Sequence, residues 1–115
     1  MAVGRLSEVV IDCRDCDRLA RFWADVLGGT PERESDEWVC VRIPHSTTVS
    51  FQRVPEDKAV KNRVHLDIAV DDLEAGAARC VELGATALTG RCADPVGDFI
   101  VLADPEGNEF CVVTD

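Results

Sequence analysis

The chain is written twice, and this doubling narrows the folds open to it more than any other feature. Residues 5–13 (RLSEVVIDC) alternate in the manner of a half-buried strand. A helix follows from about Asp15, with Leu19, Phe22, Trp23, Val26 and Leu27 on one stripe, Asp15 as cap and Gly28-Gly29 as a left-handed stop. Strands are predicted near 30–34, 37–43 and 48–54. Residues 63–70 (RVHLDIAV) then restart the pattern. Asp71 and Glu74 have capping-box spacing, Leu73, Ala77, Cys80 and Val81 form the stripe, and Gly84 is the stop. Strands are predicted near 86–92, 98–103 and 109–114, the last two joined by the turn Asp104-Pro105-Glu106-Gly107-Asn108. Glu8 falls on His65 and Asp15 on Asp72 at one offset of 57 (8 to 65, 15 to 72). Each half reads βαβββ, which predicts an α+β fold. A single domain spans 1–115, made of modules 5–54 and 63–114 with a polar linker at 55–62.

Parity assigns the faces of the strands. Val9, Ile11 and Cys13 pack under the first helix, while Glu8, Val10 and Asp12 face away. On the next strands Val39, Val41 and Ile43 pack and Trp38, Cys40 and Arg42 do not; Ser50 and Gln52 lie opposite Phe51. In the second half Val64, Leu66, Ile68 and Val70 pack, while Arg63, His65 and Asp67 face the other way. Glu109 and Cys111 lie opposite Phe110 and Val112. Val10, Trp38, Cys40 and Cys111 on an open face would make a costly apolar patch. The mixed faces are therefore expected to curve around a cavity between the modules, the usual form of a small-molecule site.

Other features set limits on function. Hydrophobic residues make up 46% of the chain, and 12 Lys+Arg against 22 Asp+Glu leave a net charge of −10. That charge argues against nucleic acid as a partner. No apolar run is long enough for a membrane span, and the first residues lack a signal-peptide core, so a cytoplasmic location is expected. The six cysteines are then expected to be thiols packed as small hydrophobes. Cys13 and Cys16 form a single CxxC, and a zinc ribbon would need a second pair. His65 beside Glu8 and Asp67 forms a candidate acid–base group, the carboxylates raising the imidazole's pKa toward neutrality. Trp38 and Arg42 suit an aromatic or carboxylate-bearing ligand. The stretch with Arg53, Lys58, Lys61 and Arg63 is either a solvated linker or a hold for an anion.

These residues carry a family likeness. EVVIDCRDCDRLARFWADVLGG, HLDIAVDDLEAGAARCVELGA and DPEGNEF resemble the vicinal oxygen chelate superfamily, the group of glyoxalase I, extradiol dioxygenases and fosfomycin- and bleomycin-resistance proteins. The stretch FQRVPEDKAVKNRVHLDIAV is similar to bacterial glyoxalase-like domain proteins. The resemblance implies tandem βαβββ modules forming curved mixed sheets, a homodimer, and a cavity that in the enzymes holds a divalent metal. Glu8, Gln52, His65 and Cys111 stand at the positions matching the metal ligands, with Glu109 sharing the parity of Cys111; only His65 matches the enzyme pattern outright. Glu8, His65 and Cys111 would suit zinc with a water in the fourth place, and Fe, Mn and Ni are the other candidates. The expectation is a metal-free, small-molecule-binding protein with Glu8, His65 and Asp67 as its polar centre and Trp38, Arg42, Gln52 and Glu109 as ligand contacts. The alternative is a metal-dependent lyase, isomerase or dioxygenase-type enzyme with a metal at Glu8, His65 and Cys111.

Overall fold

The computed structural model describes residues 1–114; Asp115, the last residue of the expected domain, lies outside the described residues. The chain divides into two units, Met1–Asp57 and Lys58–Asp115. In the first, β1 (Glu8–Cys13), α1 (Cys16–Leu27), β2 (Pro31–Ser35), β3 (Trp38–Val41) and β4 (Thr48–Arg53) follow one another. Their sheet order is β1-β4-β3-β2, with β1 parallel to β4 and the remaining pairs antiparallel. The Asp15 side chain accepts from the Arg18 N–H at 3.0 Å and so caps α1, and the Gly28 N–H closes the other end on the Ala24 carbonyl. Leu19, Ala20, Phe22 and Trp23 are buried, and α1 packs over β3 and β4, where Val39, Val41, Val49 and Phe51 are buried in turn. Val26 and Leu27, at the C-terminal end of the stripe, are half-buried. β2 (PERES) is exposed throughout, an edge strand protected by its charges.

The second unit repeats the plan with β5 (Asp67–Ala69), α2 (Leu73–Leu83), β6 (Thr86–Ala87), β7 (Cys92–Ala93), β8 (Asp98–Ala103) and β9 (Glu109–Val113). Its order is β5-β9-β8-β6, with β7 also on β8 and β5 parallel to β9. Asp72, not Asp71, caps α2, accepting from the Ala75 N–H at 2.8 Å, and Gly84 ends the helix. Gly76 lets α2 come close to Val70: a Cβ there would sit 2.9 Å from Val70 Cγ1. Leu73, Ala77 and Cys80 are buried, as are Ile100, Leu102, Phe110 and Val112 on the strands beneath; Val81 is exposed. No helix among the described residues is long and apolar enough to cross a membrane.

The first and third strands are trimmed at their ends to Glu8–Cys13 and Trp38–Val41, and two predicted strands of the second unit depart further from the reading. The segment 63–70 contributes only Asp67–Ala69, although the Cys111 N–H still donates to the Leu66 carbonyl and the Val70 N–H to Val113. Arg63, Val64 and His65 precede this ladder, and Val64 is 77% exposed instead of packed. The segment 86–92 is broken into β6 and β7. Between them the Thr89 Oγ1 takes the Val101 N–H at 3.1 Å, and Arg91 turns out to Glu74 and Asp98. A side chain there has replaced the backbone acceptor of a continuous strand.

Candidate functional site

The face of the second sheet turned from α2 forms a cleft of about 570 Å³. Register decides its floor. Phe99 pairs with Val113 and Val101 with Cys111 across β8 and β9, while Asp67 and Ala69 on β5 pair with Cys111 and Val113. Side chains in register share a face, so apolar Phe99, Val101 and Val113 lie beside the polar Asp67 and Cys111. Asp94 shapes one rim: its Oδ1 accepts from the N–H groups of Val96 and Gly97 at 2.8 and 3.0 Å. The alternation in DFIVLA was the signal for Phe99 and Val101; the Asp94–Gly97 rim has no periodicity from which to read it.

His65, Asp67 and Cys111 meet in this cleft, each offering a donor atom within 4.8 Å of the others. His65 Nδ1 lies 3.1 Å from Asp67 Oδ1. In the Nδ1-protonated tautomer the imidazole donates to the carboxylate and leaves the Nε2 lone pair for a ligand or an ion. Burial raises the Cys111 thiol above its ordinary value; the charge of Asp67 and then Cys92 push the same way, while Lys61 opposes. The three form a nitrogen, oxygen and sulfur set suited to zinc with a position left open. Asp67 thus brings to His65 and Cys111 a carboxylate from their own unit, where the sequence pattern had offered Glu8.

Glu109, expected as a ligand contact, lines the cleft but is engaged. Its carboxylate accepts from the Asn62 N–H at 3.0 Å and from Lys58 Nζ at 3.1 Å. The Asn62 hydrogen bond leads in holding its pKa down to about 2, with Lys58 adding to it against the cost of burial. The second half of the expected linker is therefore tied to β9, and Lys58 is spent on Glu109. Lys61, by contrast, lines the cleft.

The remaining predicted residues belong to the first unit. Glu8 is half-buried, and its Oε1 is buried without a hydrogen-bond partner among the described residues. Trp38 is half-buried on β3 and Gln52 exposed on β4, paired with each other in register. Arg42 lies just beyond β3, exposed, with its guanidinium on Glu32. Sequence reading placed Ser50 on the mixed face with Gln52 but took only Gln52 as a candidate. Val10 falls on Asp67 at the offset of 57, and Val10 pairs with Ser50 as Asp67 pairs with Cys111, so Ser50, not Gln52, is the first unit's counterpart of Cys111. Ser50 is fully buried, and its Oγ has no partner among the described residues.

Paired βαβββ units with mixed sheets are the fold of the glyoxalase/bleomycin resistance/dioxygenase group. The family model described as glyoxalase-like domain matches residues 8–113, and the chain belongs to that family, within the vicinal oxygen chelate superfamily. Among solved structures it is similar to a glyoxalase/bleomycin resistance protein/dioxygenase family enzyme from Burkholderia phytofirmans PsJN, with a TM-score of 0.81 and 20% identity over 96% of this chain and 98% of that one. A glyoxalase-related enzyme from Fulvimarina pelagi gives 0.78 and 17%, covering 98% and 89%. The fosfomycin resistance protein FosX from Mesorhizobium loti gives 0.74 and 22%, covering 100% and 94%. At such identities these are likenesses of fold. No protein of curated function matches the sequence.

Proposed function

We propose that this protein binds a small organic molecule in the cleft of its second unit. Phe99, Val101 and Val113 would take the apolar body of the ligand, and His65, Asp67 and Lys61 its polar groups. The observation that carries this reading is the joining of an apolar floor to one convergent polar cluster in a cleft of about 570 Å³, the usual composition of a small-molecule site. Glu8, with its unpartnered Oε1, is proposed as a further polar contact on the first unit's own sheet. The test is an NMR screen of small aromatic and carbonyl-bearing fragments against isotope-labelled protein. Shifts gathered on Phe99, Val101, Cys111 and Val113 are expected; shifts scattered elsewhere, or none, overturn the reading.

The donor cluster supports a second reading, a metal-dependent enzyme of the lyase, isomerase or dioxygenase type. A divalent ion would be held by His65, Asp67 and Cys111, and when bound would polarise a carbonyl or enolate oxygen. His65 would then serve through its imidazole as ligand beside the Asp67 carboxylate. Elemental analysis of protein purified without added metal separates the two readings. Stoichiometric metal that is lost in His65→Ala supports the enzyme, and a stable protein free of metal supports binding alone.

A further inference from the structure

Cys13 closes β1 and Cys16 opens α1, so the CxxC spans the reversal between strand and helix. Their Sγ atoms lie 3.6 Å apart, and the residues are 3% and 6% exposed. We propose that this pair is a reversible dithiol–disulfide site, oxidised by exchange with a low-molecular-weight disulfide.

The doubling of the chain shows that the architecture does not need thiols here. At the same offset of 57 the second unit carries Val70 and Leu73 in the corresponding places, just past the end of β5 and at the first position of α2. Aliphatic side chains therefore serve the strand-to-helix junction, and the first unit departs from them at both positions together. The sulfurs are already in contact: a disulfide at about 2.0 Å requires them to close by roughly 1.6 Å, within reach of side-chain rotation. Cys13 Sγ reaches the Gln52 carbonyl and Cys16 Sγ the Glu37 carbonyl, each at 3.6 Å, contacts of the weak thiol kind. The intervening Arg14 and Asp15 are exposed, so local opening of this turn is the route by which a small reagent reaches the buried sulfurs.

The exchange balances without any group held by the protein. One protein thiolate attacks a sulfur of the small disulfide, expelling one small thiolate and forming a mixed disulfide. The second protein thiolate attacks the protein sulfur of that bond, expels the other small thiolate and leaves Cys13–Cys16 joined. Two electrons pass to the reagent, and the two protons of the protein thiols end on the two small thiols released. The product staples the end of β1 to the first turn of α1.

The test uses oxidised glutathione on the whole folded chain. The expected product is about 2 Da lighter than the reduced protein, yields a Cys13–Cys16 cross-linked peptide on digestion, and returns to the starting mass with dithiothreitol. Amide exchange in the first turn of α1 is expected to slow on oxidation. In Cys16→Ser a stable glutathione adduct at Cys13 is expected in place of the cross-link. An unchanged mass with six thiols titrating after unfolding overturns the proposal, and so does a cross-link between other cysteines.

Discussion

Gly28 and Gly29 show how finely a single position is constrained. Both have positive φ, +88° and +91°, so either glycine relieves a side chain of the left-handed region. Their surroundings differ. A Cβ on Gly28 would meet nothing nearer than Pro44 Cδ at 3.8 Å, whereas one on Gly29 would lie 2.6 Å from the Arg42 carbonyl oxygen, a backbone atom with no freedom to turn aside. Gly28→Ala is expected to cost about 1 kcal/mol from backbone conformation alone, and Gly29→Ala about 3 kcal/mol once the steric clash is added. Urea unfolding of the two variants checks this; equal losses would show that the clash is relieved at no cost. Cys40 makes a related point about chemistry. Burial, with help from the adjoining Glu34 carboxylate, raises its thiol above the ordinary value.

At the scale of elements, the two helices start in the same way. Asp15 and Asp72 each bond the N–H three residues on, at 3.0 and 2.8 Å. Asp15→Ala and Asp72→Ala should each cost about 1 kcal/mol, with Asn substitutions recovering most of it; thermal or urea unfolding measures both. Loss in one and none in the other would mean that the repeated pattern carries unequal weight. Helix placement was legible because an apolar stripe with a cap and a glycine stop is a local signal. The strands of the second unit were less so. Alternation over 63–70 and 86–92 cannot reveal that Val64 has no neighbour to pack against or that the Thr89 hydroxyl takes a ladder hydrogen bond. Those outcomes depend on which strand lies alongside.

At the scale of the chain, the segment 58–62 is joined to β9 through one carboxylate. Glu109 holds both the Asn62 N–H and Lys58 Nζ, and its carboxyl titrates at about 2 against an ordinary 4.5. A carboxyl depressed on folding stabilises the native state fully above its unfolded pKa, and that contribution is lost as pH falls through the folded one. The tie should therefore be intact at neutral pH and weaken progressively between about pH 4.5 and about pH 2. Unfolding of the parent and Glu109→Gln across this range checks it: the stability gap is expected to be greatest above pH 5 and to close near pH 2. A gap that does not change with pH would assign Glu109 a packing role only. The −10 charge of the chain adds a second consequence, since long-range repulsion among carboxylates weakens as the same range is crossed, and the comparison with Glu109→Gln cancels this shared background.

Helix positions, the cap of α1, the face parity of most strands and the doubling of the pattern were written locally, because helix and strand periods and turn chemistry are properties of neighbouring residues. His65 and Asp67 were likewise readable as a pair two apart on one side of a strand. Cys111 was expected with His65 only through the family likeness; that it stands beside Asp67, and that Ser50 and not Gln52 matches it, were decided by strand register, where residues 40 and more positions apart become neighbours, and that Glu109 is held by Asn62 was decided by the path of the linker. The sulfurs of Cys13 and Cys16 fall between the two cases: their spacing is sequence, but their approach to 3.6 Å belongs to the fold.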